Sequence, residues 1–575
     1  MYIYKGIGSV SADTIGDARS GIWGKYVKEF TVSRKPARAL FFCLCFVFAL
    51  PAFAVDPVTP GGAREPFKKD TLTAPKAITA PPIKESTPAR PKQDTSKRIQ
   101  VNRFEISGNT EIPTKELISQ IAELQGQKLT LEEIYAAADI LTDYYRLRGY
   151  SLAKVTVPAQ RINIGIIELS VVEGKLNAVK FNGTQNYEPS NLRGYLASLE
   201  EGKAITLSKL EHDLLLLNDL PGLTARSLIK PGPVFGTSDL YIDAEEVPFQ
   251  GRVSLNNYGR VEIGEWRLDG EFVFNNLTGY GDQLNIALSK SEQGLLSYAN
   301  IGYNVPVNKL GTRVGINVSD IDFNVAGEFA ALDIEGDTTD VQLTLSHPVI
   351  RTRRENLLIG LGVGRNDSLS RTLGTVTRDN DINLVELSLL YNRVHANNAI
   401  SSISAVLSSN FRSNPDGMRN NAQKAKLIVD GNHLFALDNN WSVSLRGLIS
   451  LTSDPLVDSE RFSIGGQGSV RGFQSAEIRG DSGYVMNVEL RRRFNFEGTL
   501  PGSARVFFDH GRVFRKLPTA SEEEQENLSS VGLGVTLLPT KQFSIDMEFA
   551  RPIDAHATAD QRDGGRFLVN LSTVF

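Results

Sequence analysis

The sequence predicts two small α+β modules followed by one C-terminal antiparallel β-barrel that crosses a membrane. Three observations carry that expectation. Beyond the first fifty-odd residues, no apolar run is long enough for a helical span. Between Ile99 and Pro248, two units of about 75 residues each mix strand-like with helix-like periodicity. After Pro248 the helical pattern stops. Segments of about ten residues then alternate apolar with polar, as strands do when lipid lies on one side and water on the other.

The 575-residue chain has one notably apolar stretch, Ala39 to Ala49, near its start. Arg34, Lys35 and Arg38 precede it, and Ala52-Phe53-Ala54 follows. A basic flank, a short apolar core and an Ala-x-Ala site predict a signal peptide over residues 1–54, because the core is too short to span a bilayer. Both cysteines, Cys43 and Cys45, lie inside it, so the mature chain is expected to need neither disulfides nor thiolate metal sites. Removing the seven Lys/Arg and three Asp/Glu of that segment moves the formal net charge from −4 to −8. A mildly acidic chain offers no basic face, so nucleic acid is not an expected partner. Residues 55–98 carry eight prolines and almost no large apolar side chain, which predicts an extended linker.

The first α+β module is expected over residues 99–175. Val101, Phe104 and Ile106 read as a strand ending at Gly108-Asn109. Thr130-Leu131-Glu132-Glu133 has the form of a capping box. Behind it Ile134, Ala138, Leu141 and Tyr145 share a helical face, and Gly149 ends the helix. Strands follow at Ala153–Val157 and Ile166–Val172. The run Gly149-Tyr150, Val155, Pro158, Gln160, Gly165 and Val172-Glu173-Gly174 resembles a POTRA domain of the two-partner-secretion type. A second unit over 176–248 repeats the scheme. Val179, Phe181 and Gly183 mirror the first strand and turn, Leu192, Tyr195 and Leu199 suit a helix, as do Leu207, Leu210, Leu214 and Leu217, and Leu240 and Ile242 close it.

Residues 249–575 are read as the barrel. Trp266, Leu268, Phe272 and Phe274 alternate with Arg267, Asp269 and Glu271. Ala299, Ile301, Tyr303 and Val305 alternate with Asn300, Gly302 and Asn304, and Phe543, Ile545, Met547 and Phe549 with Ser544, Asp546 and Glu548. Trp266, Tyr298 and Tyr303 are placed where interfacial aromatic belts lie. Long polar stretches such as Thr519 to Ser530 read as outer loops. The last strand sets Phe567, Val569 and Leu571 on one face and ends on Phe575, a terminal aromatic that resembles the signal read by outer-membrane assembly machinery. Fourteen, sixteen or eighteen strands of about ten residues fit the length comparably well.

One glycine-rich stretch is singled out: Gly465-Gly466-Gln467-Gly468-Ser469-Val470-Arg471-Gly472-Phe473. Its glycines allow positive φ and close backbone approach. Its arginine is either an ordinary solvated charge or the partner of a carboxylate elsewhere. Downstream, Phe507, Asp509 and Gly511 alternate on one face of a strand. Val470-Arg471-Gly472-Phe473, followed by that Phe-x-Asp-x-Gly strand, resembles the loop-and-wall pair of the Omp85 superfamily. Over residues 99–575 the chain resembles its TpsB branch, the outer-membrane transporters of two-partner secretion (haemolysin secretion/activation proteins). Asn276-Leu277-Thr278-Gly279-Tyr280-Gly281-Asp282 resembles a segment of that branch too.

The resemblance implies sixteen strands and an outer-membrane location with the POTRA domains in the periplasm. It implies a loop folded inward so that Arg471 meets Asp509. The implied function is export of a large TpsA-type adhesin or haemolysin, captured in extended form by the POTRA domains. Outer-membrane lipid and the assembly machinery are its other expected partners. Members of the branch can carry a plug helix near the mature N-terminus, but no 3.6-residue apolar stripe runs from Val55 to Leu72, so residues 55–98 read as a spacer. An assembly factor for outer-membrane proteins shares the Val-Arg-Gly-Phe loop, and a passive porin shares the alternation but needs no POTRA modules.

Enzymatic chemistry finds no support. Gly466-Gln467-Gly468 with Gly472 lacks the spacing of a dinucleotide loop, and no βαβ unit surrounds it. His212, His347, His395, His433, His510 and His556 show no ligand-like spacing. His510 adjoins Asp509, but strand neighbours point to opposite faces, so it is expected towards lipid or the interface, as a structural residue. No catalytic residue, metal site or cofactor is expected.

Overall fold

The computed structural model describes residues 58–64 and 97–575, except 163, 415–423, 497, 499, 521, 555–561 and 563. The expected signal peptide and most of the linker lie outside the described residues. No described helix is long and apolar enough to cross a membrane.

In the first module, strand Arg103–Ser107 runs parallel to Ile166–Val172, which pairs antiparallel with Lys154–Thr156. Helix Leu131–Leu147 packs on this sheet through Ile134, Ala138, Leu141 and Tyr145, all buried. Its capping box is complete: Glu133 N donates to Thr130 Oγ1 at 3.2 Å, and Thr130 N donates to Glu133 Oε2 at 2.6 Å. A shorter helix, Thr114–Gln120, had no clear signature in the sequence.

The Val-Glu-Gly run gives this module an internal staple. Glu173 is 3% exposed, and its carboxylate accepts from Thr110 N at 2.7 Å, Glu111 N at 2.8 Å and Tyr145 Oη at 3.0 Å, and from the Thr110 hydroxyl. One side chain thereby ties the turn at 108–112 to the long helix. Gly174 follows at φ +68°, where a Cβ would lie 2.5 Å from that of Leu152.

The second module repeats the topology, with Lys175–Asn182 parallel to Thr237–Glu246 and Leu223–Pro231 antiparallel to the latter. Leu192, Tyr195, Leu210, Leu214 and Leu217 build its core. The first helical stretch is short, Pro189–Arg193 continuing as a 3₁₀ turn over Gly194–Leu196.

From Phe249 onward, sixteen antiparallel strands close into a barrel. Neighbours in sequence pair with neighbours throughout, and strand Phe249–Asn256 meets strand Arg566–Val574 at the seam. Side chains such as Leu268, Ile301, Leu361 and Leu533 remain more than half exposed on the outer face, as lipid-facing residues do. Polar residues such as Asn366, Asp509 and Glu548 are buried within.

Three expectations are corrected. Tyr298 does not lie in an interfacial belt. It turns inward and is buried with Leu296, Ile321 and Phe323, because the lumen is apolar at that point. The polar stretch from Thr519 to Ser530 is not all loop, since strand Gln525–Leu537 takes its second half and sets Ser530 against Asp509 across the sheet. Within the supposed spacer, Pro60–Arg64 forms a single helical turn inside the barrel, with Val58 and Ala63 buried in the same apolar cluster as Tyr298. Arg64 reaches Asp340 Oδ1 at 2.7 Å and Glu460 Oε1 at 3.3 Å. A single turn is too short to leave a periodic stripe.

Burial raises the Glu173 pKa, but the bonds from Glu111, Thr110 and Tyr145 outweigh it, so the carboxyl titrates below its ordinary 4.5. Its contribution to stability is therefore full above about pH 4.5 and is lost as pH falls through the lower, folded value. Glu173→Gln is expected to destabilise the first module by about 1–3 kcal/mol at neutral pH. Hydrogen exchange of helix Leu131–Leu147 at pH 7 checks this, with wild type expected to approach the variant on acidification.

Candidate functional site: the inward hairpin

Residues 453–481 join two barrel strands, Trp441–Thr452 and Ser482–Phe496, and fold into the lumen rather than away from the wall. A short ribbon forms the stem, with Phe462–Ile464 antiparallel to Ile478–Gly480. Phe462, Ile464, Val470, Phe473 and Ile478 pack with Val485, Val513 and Leu528 of the wall. Apolar burial thus seats the hairpin before any charge is considered.

The glycines make that seating possible. Gly472 has φ +102°, and a Cβ there would lie 3.2 Å from Ser530 Cβ. Gly511 on the wall leaves room for Val470, whose Cγ2 would lie 3.3 Å from an added Cβ.

Arg471 sits at the tip, 8% exposed. Its Nε donates to Asp509 Oδ2 at 2.8 Å and its Nη2 to Asp509 Oδ1 at 2.9 Å. The Arg471 backbone N–H adds a bond to Oδ2 at 3.1 Å, and Asn487 Nδ2 donates to Oδ1 at 2.8 Å. A carboxylate offers about four lone-pair positions, so Asp509, fully buried, is saturated. Nη1 of Arg471 reaches Glu489 Oε2 and Glu548 Oε1, each at 3.2 Å. The guanidinium lies 3.4 Å from the ring centroid of Phe507, a cation–π contact. Gly532 is what lets that ring lie flat, since a Cβ there would come within 2.2 Å of Phe507 Cζ.

The sequence-predicted residues Val470, Arg471, Gly472, Phe473, Phe507, Asp509 and Gly511 thus meet at one place. Phe575 lies apart, at the seam. It exchanges backbone bonds with Gly251 at 2.9 and 3.0 Å, and its ring lies 5.9 Å from that of Phe249. His510 lies on the opposite wall face from Asp509, bonded to Ser529 Oγ at 2.8 Å and Tyr484 Oη at 3.2 Å.

Several participants escaped sequence reasoning. Arg505 pairs with Asp546 and Glu548, both at 2.5 Å, and so aligns the carboxylate that Arg471 shares. Arg446, paired with Asp430, donates to Gly468 O at 2.7 Å from another part of the wall. Arg260 donates to Ala476 O at 2.9 Å. Only the inward alternation of Asp546 and Glu548 was legible beforehand. Which strand each carboxylate faces depends on the barrel register.

Comparison with known proteins adds to this geometry. The model of the haemolysin secretion/activation protein family ShlB/FhaC/HecB matches residues 236–537, and that of the ShlB-type POTRA domain matches 99–174. The heme/hemopexin transporter protein HuxB of Haemophilus influenzae (strain 86-028NP) is 24% identical over 486 residues, covering 81% of this chain and 85% of its own. The outer membrane transporter CdiB of Escherichia coli O6:K15:H31 (strain 536) is 24% identical over 477 residues, covering 79% and 80%. The solved structure of CdiB from Escherichia coli superposes with a TM-score of 0.67 at 20% identity, covering 86% of this chain and 93% of that one.

Lysine cannot reproduce the bidentate, stacked geometry of Arg471. Arg471→Lys is therefore expected to loosen the tip although charge is conserved, and Gly532→Ala to do the same by displacing Phe507. Spin-label distances from residue 468 to the wall, measured in detergent, are expected to broaden in both variants while the barrel stays folded.

Proposed function

Since the chain belongs to the haemolysin secretion/activation family ShlB/FhaC/HecB, we propose that its inward hairpin and POTRA modules work together to move an extended partner protein out through the barrel. The protein is an outer-membrane transporter of the two-partner-secretion type, with its POTRA domains in the periplasm. Its transported class is a TpsA-type partner protein. The observation that best supports the mechanistic reading is the buried Arg471–Asp509 pair, which fixes a folded loop inside a polar-lined barrel.

In this reading the modules receive the incoming chain by strand addition. Each three-stranded sheet leaves two edges, and in the second module Leu223–Pro231 is a nine-residue edge strand. Backbone bonding at such an edge accepts many sequences, which suits a long cargo. Inside the barrel, the lumen-facing polar residues give an extended backbone a wet path. Arg471 sets where the hairpin stands in that path, and its ion pairs contribute position more than net stability. Lipid contacts the apolar outer face, and Phe575 serves the assembly machinery as a recognition end during insertion.

Arg471→Ala and Asp509→Ala are expected to insert normally and to lower the amount of partner protein in the medium by about tenfold or more, the loss expected when one member of a buried pair is removed. Secretion assays after gene deletion and complementation check this. Unchanged secretion from both variants removes the tether from the mechanism. Normal secretion on deletion, with other outer-membrane barrels misassembled, favours an assembly factor instead.

A further inference from the structure

The second POTRA module is fastened to the barrel by more than the covalent junction at Pro248. Arg351, the last residue of strand Ile334–Arg351, directs Nε to Asp219 Oδ2 and Nη2 to Asp219 Oδ1, both at 2.7 Å. Its Nη1 donates to Asn356 Oδ1 at 2.8 Å, and the residue is 5% exposed. Arg353 makes a second link, to Glu211 Oε1 at 3.1 Å. Glu211 lies on helix Leu207–Asn218 and Asp219 caps its end, eight residues on, so the two acids lie near one face of the helix.

Two more periplasmic turns join the contact. Leu216 packs against Gly311, where an added Cβ would lie 3.2 Å from Leu216 Cδ2. Asn191 Nδ2 donates to Gly279 O at 3.0 Å, within the Asn276–Asp282 turn that the sequence had marked out. These turns all belong to the first seven barrel strands.

Domains joined by a single segment ordinarily move relative to one another unless the interface resists it. Here a bidentate pair with a buried arginine specifies both distance and orientation, and parting it leaves Arg351 desolvated without its carboxylate. We propose that Arg351 and Asp219 are positioning residues for export: they pin the second module beneath the wall of the first seven strands and so fix where captured cargo is delivered to the lumen. The proposal rests on the export reading above.

The test uses the full chain in native outer membranes, with barrel folding followed by heat-modifiable electrophoretic mobility. Asp219→Ala and Arg351→Ala are expected to speed amide exchange of helix Leu207–Asn218 by about tenfold and to cut secreted partner protein about fivefold or more, as loss of a bidentate pair with a buried arginine implies. Asp219→Glu is expected to keep most of both, and the exchange Asp219→Arg with Arg351→Asp to recover part of each. Should Arg351→Ala fail to fold, Asp219→Asn, which alters only the module side, decides the matter. Secretion within twofold of wild type from folded single variants overturns the proposal, as does lowered secretion with unchanged exchange. A wild-type chain that secretes no partner defeats the export reading instead, and the exchange measurement still decides whether the pin exists.

Discussion

Backbone amides and carbonyls cannot be satisfied by lipid, so a membrane-crossing sheet must have no free edge. Every other feature of this protein depends on how that closure is made. The seam pairs only five residues of each end strand, Arg252 to Asn256 with Asn570 to Val574. Side chains and termini extend it in both directions. Phe575 and Gly251 exchange backbone bonds at one end. At the other, Asn257 Nδ2 donates to Phe567 O and its Oδ1 accepts from Val569 N, both at 2.8 Å, so that one amide side chain stands in for a missing strand residue. The ring of Phe575 rests where Gly251 has no Cβ, which an added carbon would contest at 2.4 Å.

Once the wall is closed, its two faces pose opposite problems, and the hairpin answers both. Its stem buries Phe462, Ile464 and Ile478 against the wall, with Phe473 beyond the stem, a gain in free energy that needs no exact register. Its tip carries Arg471 into a set of carboxylates, Asp509, Glu489 and Glu548, that only one placement satisfies. Apolar contact therefore supplies affinity for the wall and the ionic network supplies position. Arg505 makes the same point from the wall side, since it pairs with Glu548 and Asp546 independently of the hairpin. Without it, the carboxylates around Arg471 would repel one another.

What the sequence disclosed follows from which forces are periodic. Alternation along Phe543–Phe549 and the capping box at Thr130 are local patterns, and the structure carries both. Nearness to a segment end suggests a belt for Tyr298, whereas strand alternation sets it on the inward face with Asn300, where Val58, Ala63 and Phe323 make this part of the lumen apolar. Residues 60–64 formed a helical turn that no period could announce, in a segment whose prolines read as a linker. Arg471 and Asp509 are 38 residues apart, and nothing local links them. A resemblance named the pair in advance, but Glu489, Asn487 and Arg505 emerge only from register, which depends on all sixteen strands at once.

The two objects inside the barrel are not independent. Arg64, on the N-terminal turn, contacts Asp340 of the wall and Glu460 of the segment leading into the hairpin stem. Glu460 is held in turn by Lys426 at 2.5 Å, and Asp340 accepts from Asn366 at 2.8 Å. Arg64 therefore shares one carboxylate with the hairpin side and one with the wall side of the lumen. If the N-terminal turn leaves, Glu460 loses the Arg64 guanidinium as a neighbour. These ion pairs are mostly buried, and Val58 and Ala63 of the same turn lie in the apolar cluster around Tyr298, so the turn is held by both kinds of contact. The hairpin stem is seated separately, on Val485 and Val513, so Arg64 and Glu460 are where the two objects meet.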